Sequence, residues 1–184
     1  MKADTQQLLS ELREDHRNMA IVLNVLESTI ETAATDEDPD FELIDEIMRY
    51  MTIYPDAVHH PKEDIIYAEL KQQRPELAGG LDDVPEEHAE IAILGKKLRE
   101  DVEAIVAGAA VRRVQFIKDA LNYVGRLRHH MNWEEEDLFV QIDTMIGEDP
   151  HAVDVDDFLW IKDPVFELEV EAGFRRLIDS LKTA

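Results

Sequence analysis

Two His-His pairs, each followed within a turn by carboxylates, constrain this chain more than any other feature. They are His59-His60-Pro61-Lys62-Glu63-Asp64 and, 70 residues later, His129-His130-Met131-Asn132-Trp133-Glu134-Glu135. In each, one His and one Glu stand four residues apart, which puts them on one face of an α-helix about a turn from each other. A His and a Glu so placed reach a single point beside the helix. Two helices doing this toward each other make a mixed imidazole–carboxylate cage, the donor set of a transition-metal site.

Cysteine is absent. That excludes disulfides, thiolate zinc sites, cysteine-ligated iron–sulfur clusters and a cysteine nucleophile, so a metal here must be held by His and carboxylates. The 184 residues suffice for one domain with a buried core, and 45% hydrophobic against 33% charged residues marks a soluble globular chain. No apolar run approaches the ~20 residues of a membrane span. The segment Met1-Lys2-Ala3-Asp4-Thr5-Gln6-Gln7 lacks the apolar stretch of a signal peptide, so the expected location is cytoplasmic. A formal net charge of −23 repels nucleic acid and anionic lipid, and neither is an expected partner. No nucleophile–base set, phosphate-binding glycine loop or basic patch competes with the metal reading.

Apolar periodicity predicts four long helices, over about 4–33, 41–73, 83–107 and 111–146. The first stripe runs Leu9, Leu12, His16, Met19, Leu23, Leu26 and Ile30, with His16 in its middle. Asp40 is the expected N-cap of the second helix, after a turn at 35–40. There His59 and Glu63 continue the apolar face, whereas His60 and Asp64 lie one residue off it. His59 and Glu63 are therefore the candidate ligands, with His60 auxiliary. Pro55 and Pro61 flank the pair and predict a kink or a break. Asp82 or Asp83 is expected to cap the third helix, whose stripe begins at His88, and Gly108 to close it. In the fourth, His130 and Glu134 are in line. Glu135 is five residues from His130 and would need a local bulge to serve instead. The tail from about 154, rich in aromatics, reads as one or two helices interrupted at Pro164, docking on the bundle or forming a homodimer contact. His151 is expected to be solvated.

A single His–Glu pair on a helix is commonplace; four helices that each carry one His on the apolar stripe, two of them adding an in-line Glu, are not. Buried carboxylates without partners are costly, and cations between them and the imidazoles remove that cost.

These elements together resemble the hemerythrin-like, or HHE cation-binding, domains. The resemblance covers about residues 8–146. It is carried by Glu14-Asp15-His16, by His59 to Asp64, by Glu86-Glu87-His88, and by His130 to Glu136 running into Leu138-Phe139. It implies an all-α, up-down four-helix bundle over residues 1–148 around a di-iron centre, with 149–184 as a C-terminal helical extension. It further implies that Glu63 and Glu134 bridge two irons, with His16 and His59 on one, His88 and His130 on the other, and an oxo or hydroxo bridge between. Dioxygen or a related small diatomic would be the ligand. Zinc and manganese are alternative metals, because His/carboxylate sites accept several divalent ions. One departure stands out: the oxygen carriers of this family have a second His four residues after the third-helix ligand, and here that residue is Ala92, with Val84 a turn earlier. His60, His129, Glu87 or water would have to substitute. A ligand-poor iron favours sensing of oxygen, iron or redox state, or a redox enzyme handling peroxide or nitric oxide, over stable oxygen carriage.

Overall fold

A computed structural model describes residues 5–33, 39–110, 112–148, 163–166 and 172–183. Helix α1 spans Thr5–Ala33. Helix α2, Phe41–Tyr54, begins at Asp40, whose Oδ1 accepts from the Leu43 N–H at 3.0 Å, as the capping reading expects. A π-helical turn, Pro55–His59, leads without a break into α3, His60–Gln73. The two prolines thus widen the helix instead of breaking it. Neither can donate a backbone hydrogen bond, and the Pro61 ring would press on the carbonyl four residues back in a regular helix. In the wide turn the His60 N–H reaches back to the Pro55 carbonyl, five residues away, and the ring is accommodated.

Helix α4 spans Val84–Val106. Asp83 occupies its cap position, but its own backbone is helical and its side chain caps nothing; its carbonyl instead accepts from the Glu86 and Glu87 N–H groups at 3.1 Å. Gly108 follows the helix with φ +92°, a left-handed residue suited to glycine. Helix α5, Arg113–Trp133, passes through a second π-helical turn, Glu134–Leu138, into α6, Phe139–Glu148. The expected fourth helix is therefore present, with a bulge in the middle. Helix α7 spans Arg175–Leu181.

The bundle is sorted into two apolar cores. One gathers Leu8, Leu9 and Leu12 with Ile66, Leu70, Phe139 and Ile142. The other gathers Met19, Leu23 and Leu26 with Ile44, Met48, Leu98, Val102 and Leu127. Along α1 the chain passes from the first core to the second, along α2–α3 from the second to the first, and the order alternates again in α4 and α5–α6. That alternation is an up-down-up-down bundle. On every one of the four rods the histidine falls at the change from one core to the other.

Val165, Phe174 and Leu177 join the second core, and α7 packs on α1 and α2. Asp163 accepts from the Tyr50 hydroxyl at 2.8 Å and from the Val165 and Phe166 N–H groups. His151, Phe158, Leu159, Trp160 and Leu168 lie outside the described residues, as does most of the turn at 35–40. Among the described residues no helix is long and apolar enough to cross a membrane.

Candidate metal centre

Between the two cores, His16 from α1, His59 from the first π turn, Glu63 from α3, His88 from α4, His130 from α5 and Glu134 from the second π turn converge. Their ligand atoms form two groups, His16–His59–Glu63 and Glu63–His88–His130–Glu134, and within each group all lie within 4.8 Å of one another. Both glutamates are wholly buried. Each carboxylate straddles the site. Glu63 Oε1 is 3.1 Å from His59 Nε2 and 3.5 Å from His16 Nε2, while its Oε2 is 3.5 Å from His88 Nε2. Glu134 Oε2 is 3.4 Å from His16 Nε2, while its Oε1 is 3.4 Å from His130 Nε2 and 3.9 Å from His88 Nε2.

Behind three of the four imidazoles stands another carboxylate. His59 Nδ1 is 3.2 Å from Asp15 Oδ2, His16 Nδ1 3.2 Å from Glu135 Oε1, and His130 Nδ1 2.9 Å from Glu87 Oε2. In the neutral imidazole a carboxylate on Nδ1 keeps the proton there and leaves Nε2 as a lone pair facing the centre, the arrangement of metal-ligating histidines. Asp15 is itself held by the Tyr54 hydroxyl at 2.9 Å and by the buried Lys62 ammonium at 3.2 Å. Behind His88 there is instead a flat ring: His60 stacks on it at 3.9 Å between centroids and 18° between planes.

The protonation balance follows from this crowding. Burial lowers the His16 pKa, but Glu134, Glu135 and Glu63 outweigh it and hold it well above the ordinary value. For His59, burial is likewise overcome, by Glu63 and Asp15, and its pKa is raised. Burial pushes the Glu63 carboxyl up, yet His59 and His16 win and set it well below the usual carboxylate range. At His60, by contrast, burial prevails and the pKa is lowered.

The donor set fits metal cations. His16 Nε2, His88 Nε2, His130 Nε2, Glu63 Oε2 and Glu134 Oε2 are buried and make no hydrogen bond. Orphaned atoms of this kind cost about 1–3 kcal/mol each. Two donors at right angles around one first-row ion, each ~2.1 Å from it, lie ~3 Å apart, close to the spacings here.

Of the seven residues the sequence singles out, six enter the two ligand groups and one does not. His60 turns its Nδ1 toward Asp56 Oδ1, 3.4 Å away, and braces His88 with its face. Of the other substitutes weighed for the absent second His, Glu87 backs His130 and His129 is exposed to solvent. Sequence reasoning missed Tyr67, named Asp15 only within the family resemblance, and weighed Glu135 only as an alternative ligand that needs a local bulge. Asp15 precedes a candidate ligand and Tyr67 stands four residues after Glu63, so both carried a local signal. Glu135 stands in the wide turn at 134–138, the bulge its spacing called for, but it meets His16 and not the His130 side, a partner no local pattern announced.

No curated protein and no solved structure matches the chain at a significant level. The sequence model of the hemerythrin HHE cation-binding domain matches residues 7–149, the stretch that supplies every residue of the two ligand groups, and the chain belongs to that family.

Proposed function

We propose that this protein is a non-haem di-iron protein that binds dioxygen or a related small diatomic, or that senses oxygen, iron or redox state through such binding. The observation that carries the reading is the straddling of both buried glutamates, each with one oxygen toward His16 and the other toward the His88–His130 side. In this assignment His16 and His59 hold one iron, His88 and His130 the other, and Glu63 and Glu134 both. Iron held there supplies one-electron redox chemistry and a coordination position for a diatomic. The chain's own contribution is to fix the four imidazoles, through Asp15, Glu135, Glu87 and the His60 ring, and to exclude bulk water with an apolar core on either side. The Tyr67 hydroxyl, directed at both carboxylates, limits how far they swing.

The test is anaerobic loading with ferrous iron, metal counted per chain, followed by admission of dioxygen while the visible spectrum is recorded. About two irons per chain and a charge-transfer band that reverses on deoxygenation support binding or sensing. Uptake followed by irreversible oxidation supports the redox-enzyme alternative, in which peroxide or nitric oxide is the substrate. No iron uptake overturns both, and parallel loading with zinc and manganese shows whether the site prefers another divalent ion.

A further inference from the structure

A small, partly open cavity of about 10 Å³, the room of one water-sized molecule, lies against His60 among α2, α4 and α5. Most of its lining is apolar, from Met51, Pro55, Ile91, Ala92, Gly95 and Leu127, and Thr52, Asp56, His60 and Tyr123 complete it. It shares Thr52, Asp56 and Ala92 with an open groove of about 440 Å³ on the outer face of α2 and α4. Two features keep the inner space open. Ala92 presents only a methyl group at the junction. At Gly95 an added Cβ would stand 3.0 Å from Tyr123 Cε2 and 3.2 Å from Thr52 Cγ2, and would drive one of them inward. The cavity also meets His60, whose ring lies flat on His88 and whose Nδ1 is 3.4 Å from Asp56, a residue shared with the groove.

We propose that groove and cavity form an access passage that conducts a small uncharged diatomic to the His88 side of the centre, with the His60 ring as its inner gate. The identity of the occupant rests on the di-iron reading above. The passage itself rests on the cavities and their shared walls. Mostly apolar walls around so small a space disfavour hydrated ions, which would have to shed their water for few replacement hydrogen bonds. A neutral diatomic has nothing to shed. A turn of the His60 ring away from His88 joins the cavity to the ligand group, and its contact with Asp56 sets the resting position.

The direct experiment dissolves dioxygen under pressure around the zinc-loaded chain, in which the metal is redox-silent, and reads paramagnetic broadening of methyl resonances. Met51, Ile91 and Leu127 should broaden more than the similarly buried Ile142 and Leu70 of the other core; equal broadening overturns the passage. Ala92→Leu fills the junction. It should bring Met51 and Leu127 down to the level of Ile142, and on the iron-loaded chain slow dioxygen or nitric oxide association by about tenfold, with metal per chain unchanged. Ala92→Val, adding less bulk, should give an intermediate effect and serves if the leucine variant does not fold. Undiminished broadening and an undiminished rate in these variants overturn the proposal. Selective broadening in a chain that takes up no iron keeps the passage and removes the di-iron reading.

Discussion

The Tyr67 hydroxyl donates to Glu134 Oε1 across 2.9 Å and stands 3.5 Å from Glu63 Oε1, so one phenol on α3 ties together both carboxylates of the metal centre. Burial, reinforced by Glu63 and Glu134, holds this hydroxyl well above the ordinary tyrosine value, and it stays a donor. Tyr67→Phe leaves a buried charged acceptor one partner short. The metal-free chain should lose about 1.5–3 kcal/mol of unfolding free energy. The metal-loaded chain should lose less, because the cations neutralise the same oxygens. Denaturant unfolding of both forms measures the difference, and equal losses would show that Tyr67 acts on packing alone.

His59→Ala and Glu134→Ala should each lower metal per chain while far-UV circular dichroism stays close to that of the parent. His129→Ala, on the exposed neighbour of His130, should leave metal content unchanged. Full loading of either of the first two variants would sink the ligand assignment.

Asp15 has no place in the ligand groups, yet it holds His59, Tyr54 and Lys62 at once. Asp15→Asn keeps the shape and removes the charge that orients His59. Metal affinity, from competition with a chelator, should fall by about 10–100-fold, and an unchanged affinity would exclude this role.

Acid and base should both weaken the metal-free chain. His16, His59 and His88 titrate above the ordinary 6.5, so below that value the folded state keeps a stabilising proton on each; this is lost as pH rises through the raised values. Glu63 and Glu134 titrate below the ordinary 4.5, so their contribution is present above that value and is lost on acidification. Melting temperature against pH should therefore peak between the two ranges. Bound divalent metal should remove the alkaline decline, since ligating imidazoles must be neutral and affinity grows with pH. A metal-free melting curve still rising above the histidine range would contradict the carboxylate–imidazole pairing.

Gly80 has φ +89°, and a Cβ added there would stand 2.7 Å from Trp133 Cζ2. Gly80→Ala should cost about 1–3 kcal/mol from backbone strain alone, whereas at Gly79 an added Cβ meets nothing within 4 Å. Thermal melts of the two alanine variants should separate clearly, with Gly79→Ala close to the parent.

The legible part of this protein was local. The stripe Leu12, His16, Met19 and the pairs His59–Glu63 and His130–Glu134 obey the helical period, so their residues share a face whatever the helix packs against. The illegible part depended on phase. Pro55 and Pro61 predicted a kink, but whether a helix breaks or widens depends on what its neighbours can hold in place, and here both sides are held by apolar cores. The widening at 134–138 turns Glu135 toward His16, 119 residues away in the chain, a meeting that only the packing of α1 on α6 produces.

The sequence by itself determined the all-helical bundle and the residue types that could hold a metal, because both follow from apolar spacing and from the absence of cysteine. Tertiary structure decided the rest: that His60 faces Asp56 and His88, that Asp15 and Glu87 orient their imidazoles, and that Tyr67 spans both carboxylates. The reason is physical. A helical period sets which residues share a face, whereas the rotation of each helix about its axis, settled by packing the two cores, sets what that face meets.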